Sequence, residues 1–148
     1  MIAKIDNRNI NVAQQIYLIF QASYKVEAEI LNVSEFPPLS KSVIDFTNSD
    51  NNFFAFYVNK NIAGLIEVDY NNKSTHIQSL VVNPKFFRQG IGRELVNFVL
   101  KTFNSMIFTV ETGLANKPAI NLYISCGFKE DKQFDTNHGV RKIRLIKL

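Results

Sequence analysis

The sequence predicts an α+β protein, an α/β/α sandwich whose mixed, mainly antiparallel central sheet is flanked by helices. Short apolar runs joined by Asn-rich turns favour antiparallel hairpins. Apolar residues at helical spacing occupy Asn9–Leu31, and a strand–helix–strand crossover through Ile91–Phe103 adds one parallel strand pair. A chain of 148 residues that is 46% hydrophobic and 20% charged can bury a core of its own, so residues 1–148 are predicted to form a single domain.

The first third of the chain predicts a strand, a long helix and a short helix. The strand spans Ile2–Ile5. The long helix covers Asn9–Leu31, because residues suited to a buried stripe recur there at helical spacing: Val12, Ile16, Ile19, Phe20 and Ser23. A loop-rich stretch follows over Asn32–Ser40. Ser40 is predicted to cap a short helix that ends at Phe46.

Three strands in the middle of the chain predict two consecutive hairpins. The strands span Phe53–Val58, Ile62–Tyr70 and Thr75–Val82. Turns at Asn59–Asn61 and Asn71–Ser74 connect them, since asparagine tolerates the left-handed backbone that tight hairpins need.

The last third of the chain alternates helices and strands. A central helix over Ile91–Phe103 presents an apolar stripe of Ile91, Leu95, Phe98, Val99 and Phe103. A strand over Met106–Thr112 precedes a helix that ends at Gly127 and whose apolar side carries Ala119, Leu122, Tyr123 and Cys126. Strands over Phe128–Phe134 and Val140–Ile146 complete the prediction.

Composition disfavours several classes of function. The net charge is +4, but basic residues are scattered except over Arg141–Arg144 and at Lys147, which favours a solvated strand face over a nucleic-acid site. Cys126, the single cysteine, permits no intramolecular disulfide and fits a reducing compartment. No apolar signal core or membrane-length run is present, so a cytoplasmic protein without membrane attachment is predicted. Two distant histidines and one cysteine predict no metal site.

A pair of glycines at the start of the central helix is the most informative functional feature of the sequence. Gly90 and Gly92 lie where the apolar strand end Leu80–Val82 gives way to the central helix. The first N–H groups of a helix have no intrahelical partner and, with the helix dipole, attract phosphates. The same pair is also compatible with an ordinary turn and cap. The segment lacks the Gly-Lys-Ser/Thr of a Walker loop and the third glycine of a dinucleotide fingerprint.

Two segments together resemble the GNAT superfamily of N-acetyltransferases. Val82-Asn-Pro-Lys-Phe-Phe-Arg-Gln-Gly-Ile-Gly92 is similar to the family's cofactor loop, Arg/Gln-x-x-Gly-x-Gly/Ala after a Val-x-Pro strand end. Asn116-Lys-Pro-Ala-Ile-Asn-Leu-Tyr-Ile-Ser-Cys-Gly-Phe128 is similar to the family's later motif. The resemblance extends over about Phe54–Phe134. One departure is Phe87, which stands at the family's Arg/Gln position, so side-chain help with a pyrophosphate falls to Arg88 or Arg93.

The resemblance implies acetyl-CoA as co-substrate and a GNAT-like sheet. In that arrangement the strands bearing Leu80–Val82 and Ile107–Glu111 splay apart and admit the pantetheine arm. A backbone N–H of Leu80 or Val82 would polarise the acetyl carbonyl. The implied cofactor-binding residues are Leu80, Val81, Val82, Phe87, Arg88, Gln89, Gly90, Ile91, Gly92, Arg93, Asn116 and Tyr123. Asn116 is also expected to cap its helix.

The resemblance also suggests catalytic residues. Tyr123 matches the family's tyrosine, placed to protonate the departing thiolate, although a packed aromatic on a buried helix stripe explains it equally well. His76 stands where one branch of the family carries its general base, and strand alternation predicts that His76, Gln78, Leu80 and Val82 share one face.

Three carboxylates rival His76 as the base, namely Glu67, Asp69 and Glu111. Glu67 and Asp69 would share a face beside the strand of His76, and Glu111 would lie at the splay. His138, in the sequence Asn137-His138-Gly139, is expected to serve the last hairpin turn rather than the chemistry.

The sequence therefore predicts an acetyl-CoA-dependent N-acetyltransferase that acts on a primary amine, of a small molecule or a protein, by direct transfer in a ternary complex. The resemblance implies that residues 24–46 build much of the acceptor pocket, and nothing in that segment names the acceptor. An acyl-CoA-binding sensor without turnover is the main alternative. A nucleic-acid-binding module is disfavoured because the phenylalanines fall on core-periodic positions. The oligomeric state is open, and a homodimer is one option.

Overall fold

A computed structural model describes residues 1–71 and 73–148. Within this part of the chain, seven strands form one sheet. Their order across the sheet is β1 (Ile2–Ile5), β2 (Asn52–Val58), β3 (Asn61–Asn71), β4 (Ser74–Val82), β5 (Ile107–Gly113), β7 (Arg141–Lys147) and β6 (Lys129–Asp135). Only the β4–β5 pair among these strands is parallel. Helices cover both faces, so the predicted α/β/α sandwich with a mixed, mainly antiparallel sheet is confirmed.

The first third of the chain forms β1 (Ile2–Ile5), α1 (Ile10–Leu31), a short 3-10 helix (Pro37–Ser40) and α2 (Val43–Thr47). Asn9 begins α1, since its side-chain oxygen accepts hydrogen bonds from the N–H groups of the first helical turn.

The prediction for the short helix was wrong at its start. Ser42 rather than Ser40 caps α2, because Ser42 and Asp45 have the three-residue spacing of a capping box and exchange both of its hydrogen bonds. Ser40 instead ends the 3-10 helix, whose first two residues are prolines.

The two predicted hairpins are confirmed in β2 (Asn52–Val58), β3 (Asn61–Asn71) and β4 (Ser74–Val82). Asn59 and Lys60 both adopt positive φ, 49° and 68°, as the tightest hairpin turns require. The second predicted turn, at positions 71–74, includes Asn72, which lies outside the described residues.

The remainder of the chain forms a 3-10 helix (Pro84–Phe86), α3 (Ile91–Thr102), β5 (Ile107–Gly113), α4 (Lys117–Ser125), β6 (Lys129–Asp135) and β7 (Arg141–Lys147). The 3-10 helix was not predicted, and α4 ends at Ser125 rather than at Gly127. The other ends match the prediction to within about one residue. The apolar side of α4 differs from the expected set, because Ile120 and Tyr123 are its buried residues while Ala119, Leu122 and Cys126 are half-buried.

Two apolar clusters hold the helices to the sheet. On one face, α3 and α4 pack on the sheet through residues that include Leu95, Val99 and Tyr123. On the other face, α1 and α2 pack through residues that include Ile16, Phe20 and Phe46. None of the helices in the described part of the chain combines the length and apolar composition needed to cross a bilayer.

A bulge in β4 changes which residues face each layer. Ser79 pairs with Glu67 and Ile77 pairs with Val68, which leaves Gln78 without a partner on β3. One extra residue reverses the alternation of side chains along a strand.

Because of this bulge, the predicted common face of His76, Gln78, Leu80 and Val82 was wrong. Leu80 and Val82 pack with the α3–α4 cluster. His76 precedes Ile77, which belongs to that same cluster, so His76 points to the opposite face, the face that α1 covers over the first strands.

Candidate active site

A cleft opens where β4 and β5 part. Their parallel pairing covers Ser74–Ile77 with Ile107–Val110 and then stops. The splay therefore begins at Gln78 and Glu111, later along β5 than the predicted stretch of Ile107–Glu111. A bulge increases local twist, which turns β4 away from β5 at this point. The resulting cleft has a volume of about 1040 Å³.

One end of the cleft is formed by the loop that precedes α3. Arg88 and Gly90 have positive φ, 62° and 76°, and Gly90 is the N-cap of α3. No side chain caps this helix, so the N–H groups of Ile91, Gly92 and Arg93 are free of helical partners. Arg88 and Arg93 line the same part of the cleft. This end of the cleft is therefore suited to a multiply charged phosphate group.

Most of the predicted cofactor residues line the cleft. They are Leu80, Val82, Phe87, Arg88, Gly90, Ile91, Gly92, Arg93, Asn116 and Tyr123. Two are not part of this lining. The Val81 side chain is buried among the α1–α2 cluster, and Gln89 is exposed in the loop.

Tyr123 lies on the α4 side of the cleft and is 4% exposed. Its ring packs edge-on against Phe128, with centroids 5.8 Å apart. Its hydroxyl forms no hydrogen bond with a described side chain, although the residue lines the cleft. Burial, aided by the nearby Tyr24 and Glu27, raises the pKa of Tyr123 above its ordinary value, so the phenol remains a proton-bearing donor. The packing role and the cleft-facing position therefore coexist.

His76 lies outside the cleft lining. Its Nδ1 is 2.8 Å from the Thr109 hydroxyl on the neighbouring strand, and the ring is half-buried. Burial lowers the pKa of His76 below its ordinary value, while the charge of Glu111 opposes that shift. The structure thus separates His76 from the residues that line the cleft.

The rival carboxylates occupy different environments. Glu67 is 2% exposed, and both its oxygens accept hydrogen bonds, from Ser79 at 2.9 Å and Asn51 at 2.8 Å. Glu111 lines the cleft but is 3.5 Å from the Arg144 guanidinium. Asp69 is exposed and lies opposite His76. Of the predicted candidates, Glu111 is the one that the structure brings to the cleft.

Sequence reasoning missed Glu27. This half-buried residue of α1 lines the cleft and accepts hydrogen bonds at Oε1 from Asn116 Nδ2 at 2.7 Å and Thr112 Oγ1 at 3.3 Å. Burial raises the pKa of Glu27, and the two donated hydrogen bonds partly oppose that rise. A signal was present, since Glu27 continues the helical spacing of the buried residues Ile16 and Phe20.

Two other cleft residues have mixed outcomes. Asn116 caps α4 as predicted, because its Oδ1 accepts the Ala119 N–H at 3.3 Å, and it also donates to Glu27. His138 lies in the β6–β7 connection as expected, but it also lines the cleft, and its buried Nδ1 has no partner in the described structure. No group of three potential metal ligands occurs among the described residues.

A family model described as the acetyltransferase (GNAT) family matches residues 13–128. The chain belongs to the GNAT family. A Bacillus subtilis relative named UPF0157 protein YqkA is 30% identical over 141 residues, or 95% of this chain and 41% of that protein. The chain thus spans about two fifths of that relative's length.

Solved structures share the GNAT fold. The ribosomal-protein-S18-alanine N-acetyltransferase of Escherichia coli superimposes with a TM-score of 0.77 at 20% identity, covering 99% of this chain and 91% of that one. The PaiA N-acetyltransferase of Thermoplasma acidophilum, solved in complex with coenzyme A, gives 0.75 at 16% identity, with coverage of 97% and 96%.

Proposed function

We propose that the protein is an acetyl-CoA-dependent N-acetyltransferase that transfers the acetyl group directly to a primary amine in a ternary complex. The observation that carries this proposal is the cleft that runs from the open N-terminus of α3, along the parted edge of β4, to Tyr123. Membership of the GNAT family and the coenzyme A in a structural neighbour support it.

The cleft has suitable partners for the pyrophosphate and for the pantetheine arm of the cofactor. The pyrophosphate would bind the free N–H groups at the start of α3, with Arg88 and Arg93 nearby. Beyond Ile77 the edge of β4 has no pairing with β5. Its backbone groups there would bond the pantetheine amides in the manner of an added strand.

The reaction then needs a polarised carbonyl and a proton for the leaving group. We propose that a backbone N–H near the bulge, at Leu80 or Val82, stabilises the oxyanion that forms when the amine attacks the thioester carbon. As the carbon–sulfur bond breaks, Tyr123 would supply a proton to the thiolate. Glu111, which is paired with Arg144, would contribute to the electrostatic potential around the acceptor amine.

Two measurements on purified, CoA-free protein test this proposal. Saturating CoA or acetyl-CoA is expected to raise the melting temperature, since binding to the native state alone stabilises it. Acetyl-CoA with a panel of amines is expected to release free thiol and to give products heavier by one acetyl group. Stabilisation without thiol release from any amine would favour the sensor function, and an unchanged melting temperature would refute both.

A further inference from the structure

Glu27 is a carboxylate that the fold delivers to the acceptor side of the cleft. It lies on the C-terminal half of α1, within the cleft lining and close enough to Tyr24 and Tyr123 to raise the pKa of both. The cofactor-binding loop at the start of α3 is contributed by the other helical layer. Glu27 therefore approaches the reaction centre from the side opposite the phosphate site.

The hydrogen bonds of Glu27 leave one oxygen available. Asn116 and Thr112 both donate to Oε1. Oε2 accepts no hydrogen bond, and no ion pair involves Glu27, among the residues that the structure describes. The two donors fix the carboxylate's orientation, while Oε2 keeps its capacity to accept a proton or bind a cation.

The walls beside Glu27 are largely aromatic and apolar. Tyr24 and Phe36 lie with their ring centroids 5.8 Å apart, and Pro37 and Pro38 continue this wall. Such walls favour an apolar group next to whatever binds the carboxylate.

We propose that Glu27 binds the ammonium group of the acceptor and removes its proton, and that the acceptor carries one amine beside an apolar or aromatic body. This inference rests on the proposed acetyl transfer and deepens it. The restriction to one amine follows from the other charges that line the cleft here. Lys41 and Lys142 are cationic, and Glu111 is already paired with Arg144. A second ammonium group would meet these cations and no unpaired carboxylate among the described lining residues.

Every proton in this proposed reaction has a donor and an acceptor. The ammonium transfers one proton to Glu27 Oε2, which later releases it to solvent. The neutral amine attacks the carbonyl carbon, and the carbon–sulfur bond breaks. Tyr123 protonates the thiolate, and the second proton of the former ammonium returns to Tyr123 through solvent. Burial, which raises the pKa of Glu27, brings its basicity nearer to that of an amine.

The test compares Glu27→Gln with Glu29→Gln. A glutamine at position 27 can still accept both hydrogen bonds through its carbonyl oxygen, so the contact between α1 and α4 survives while the charge and the base are lost. Glu29 is an exposed carboxylate on the same helix, outside the cleft lining, and serves as the matched control. The probes are phenethylamine, an aromatic monoamine, and spermidine, a polyamine.

Phenethylamine is expected to raise the melting temperature of the CoA-bound wild type and of Glu29→Gln, but not of Glu27→Gln. With acetyl-CoA as the donor and phenethylamine as the acceptor, kcat/KM of Glu27→Gln is expected to be lower than that of wild type by about 10²-fold or more, the usual contribution of a general base. CoA itself is expected to stabilise all three proteins equally.

Each contrary result has a distinct meaning. If Glu27→Gln keeps the phenethylamine response and the wild-type kcat/KM, the role of Glu27 is refuted while acetyl transfer stands. If wild type ignores phenethylamine or responds more strongly to spermidine, the single-amine acceptor class is refuted. If CoA fails to stabilise wild type, the proposed function itself fails.

Discussion

A hydrogen bond between Asn116 and Glu27 joins α4 to α1 across the cleft. Asn116 Nδ2 donates to Glu27 Oε1 at 2.7 Å, and Asn116 Oδ1 caps α4. The same helix α4 carries Tyr123, the residue proposed to protonate the leaving thiolate. This contact therefore connects the helix of Glu27 with the helix of Tyr123.

Substitution of Asn116 tests how much this contact contributes to stability. Asn116→Ala removes both bonds and is expected to lower the free energy of unfolding by about 1–2 kcal/mol, the usual cost of losing a helix cap with one further hydrogen bond. Asn116→Asp keeps a capping oxygen but faces Glu27 with a second carboxylate. The pair then shares a proton, so stability is expected to fall as pH rises and the pair is forced to ionise. Urea unfolding across the pH range measures both, and a pH-independent Asn116→Asp would contradict the contact.

The glycines at the start of α3 are expected to control CoA affinity. Gly90→Val places a branched residue at a φ of 76°, a strain of about 1–3 kcal/mol that favours a rearranged loop. In Gly92→Val the added Cβ would lie 3.2 Å from Leu122 Cδ2, so the Leu122 side chain beside the start of α3 would have to shift. Titration calorimetry is expected to show CoA binding weakened by roughly 10-fold or more in each variant, since about 1.4 kcal/mol is tenfold.

Gly139→Val is the control for that experiment. Gly139 has a φ of 87°, so a valine there carries comparable strain, but it lies in the β6–β7 connection and not in the phosphate loop. CoA affinity is expected to be unchanged in this variant. Equal loss in all three variants would mean that global destabilisation, and not the loop, explains the effect.

Tyr123→Phe is expected to reduce kcat by roughly 10²-fold while CoA affinity stays nearly constant. The ring would still pack against Phe128, so only the hydroxyl's proton is lost. Steady-state kinetics and CoA titration measure the two quantities. Tyr57→Phe, a half-buried tyrosine of β2 outside the cleft lining, is the matched control. Full turnover in Tyr123→Phe would restrict Tyr123 to packing.

His76→Gln is expected to change how the free energy of unfolding depends on pH. Burial holds the pKa of His76 below its ordinary value, so the unfolded chain binds more protons near pH 6.5 than the native protein does. The free energy of unfolding of wild type is therefore expected to fall as the pH drops from the His76 pKa of the unfolded chain through that of the folded protein. In His76→Gln this decrease is expected to be smaller. Chemical unfolding at a series of pH values measures the difference.

The rate of the same variant tests His76 as the catalytic base. Because His76 lies outside the cleft lining, kcat/KM of His76→Gln is expected to stay within a few-fold of wild type. If the variant instead loses activity together with the acidic limb of the rate profile, while Glu27→Gln and Glu111→Gln remain active, His76 is the base.

The sequence by itself determined the features that depend on neighbouring residues. Capping by Asn9 and Asn116, the glycine at the start of α3 and the strand pattern are local, because each concerns backbone groups within a few positions. The two motif segments lie about 25 residues apart in the sequence. They located the cleft because the first follows β4 and the second follows β5, the two strands that line it.

Only the tertiary structure decided the side-chain set around the reaction centre. The bulge at Gln78 is set by how β4 registers against β3, and it moved His76 to the opposite face from Leu80. Glu27 meets Asn116 across 89 positions of sequence, where no local pattern operates. Pairing registers and helix docking are fixed by the burial of whole faces against one another. A short window of sequence can thus specify a cap or a turn, whereas the carboxylate that enters the cleft is specified by the packing of the entire chain.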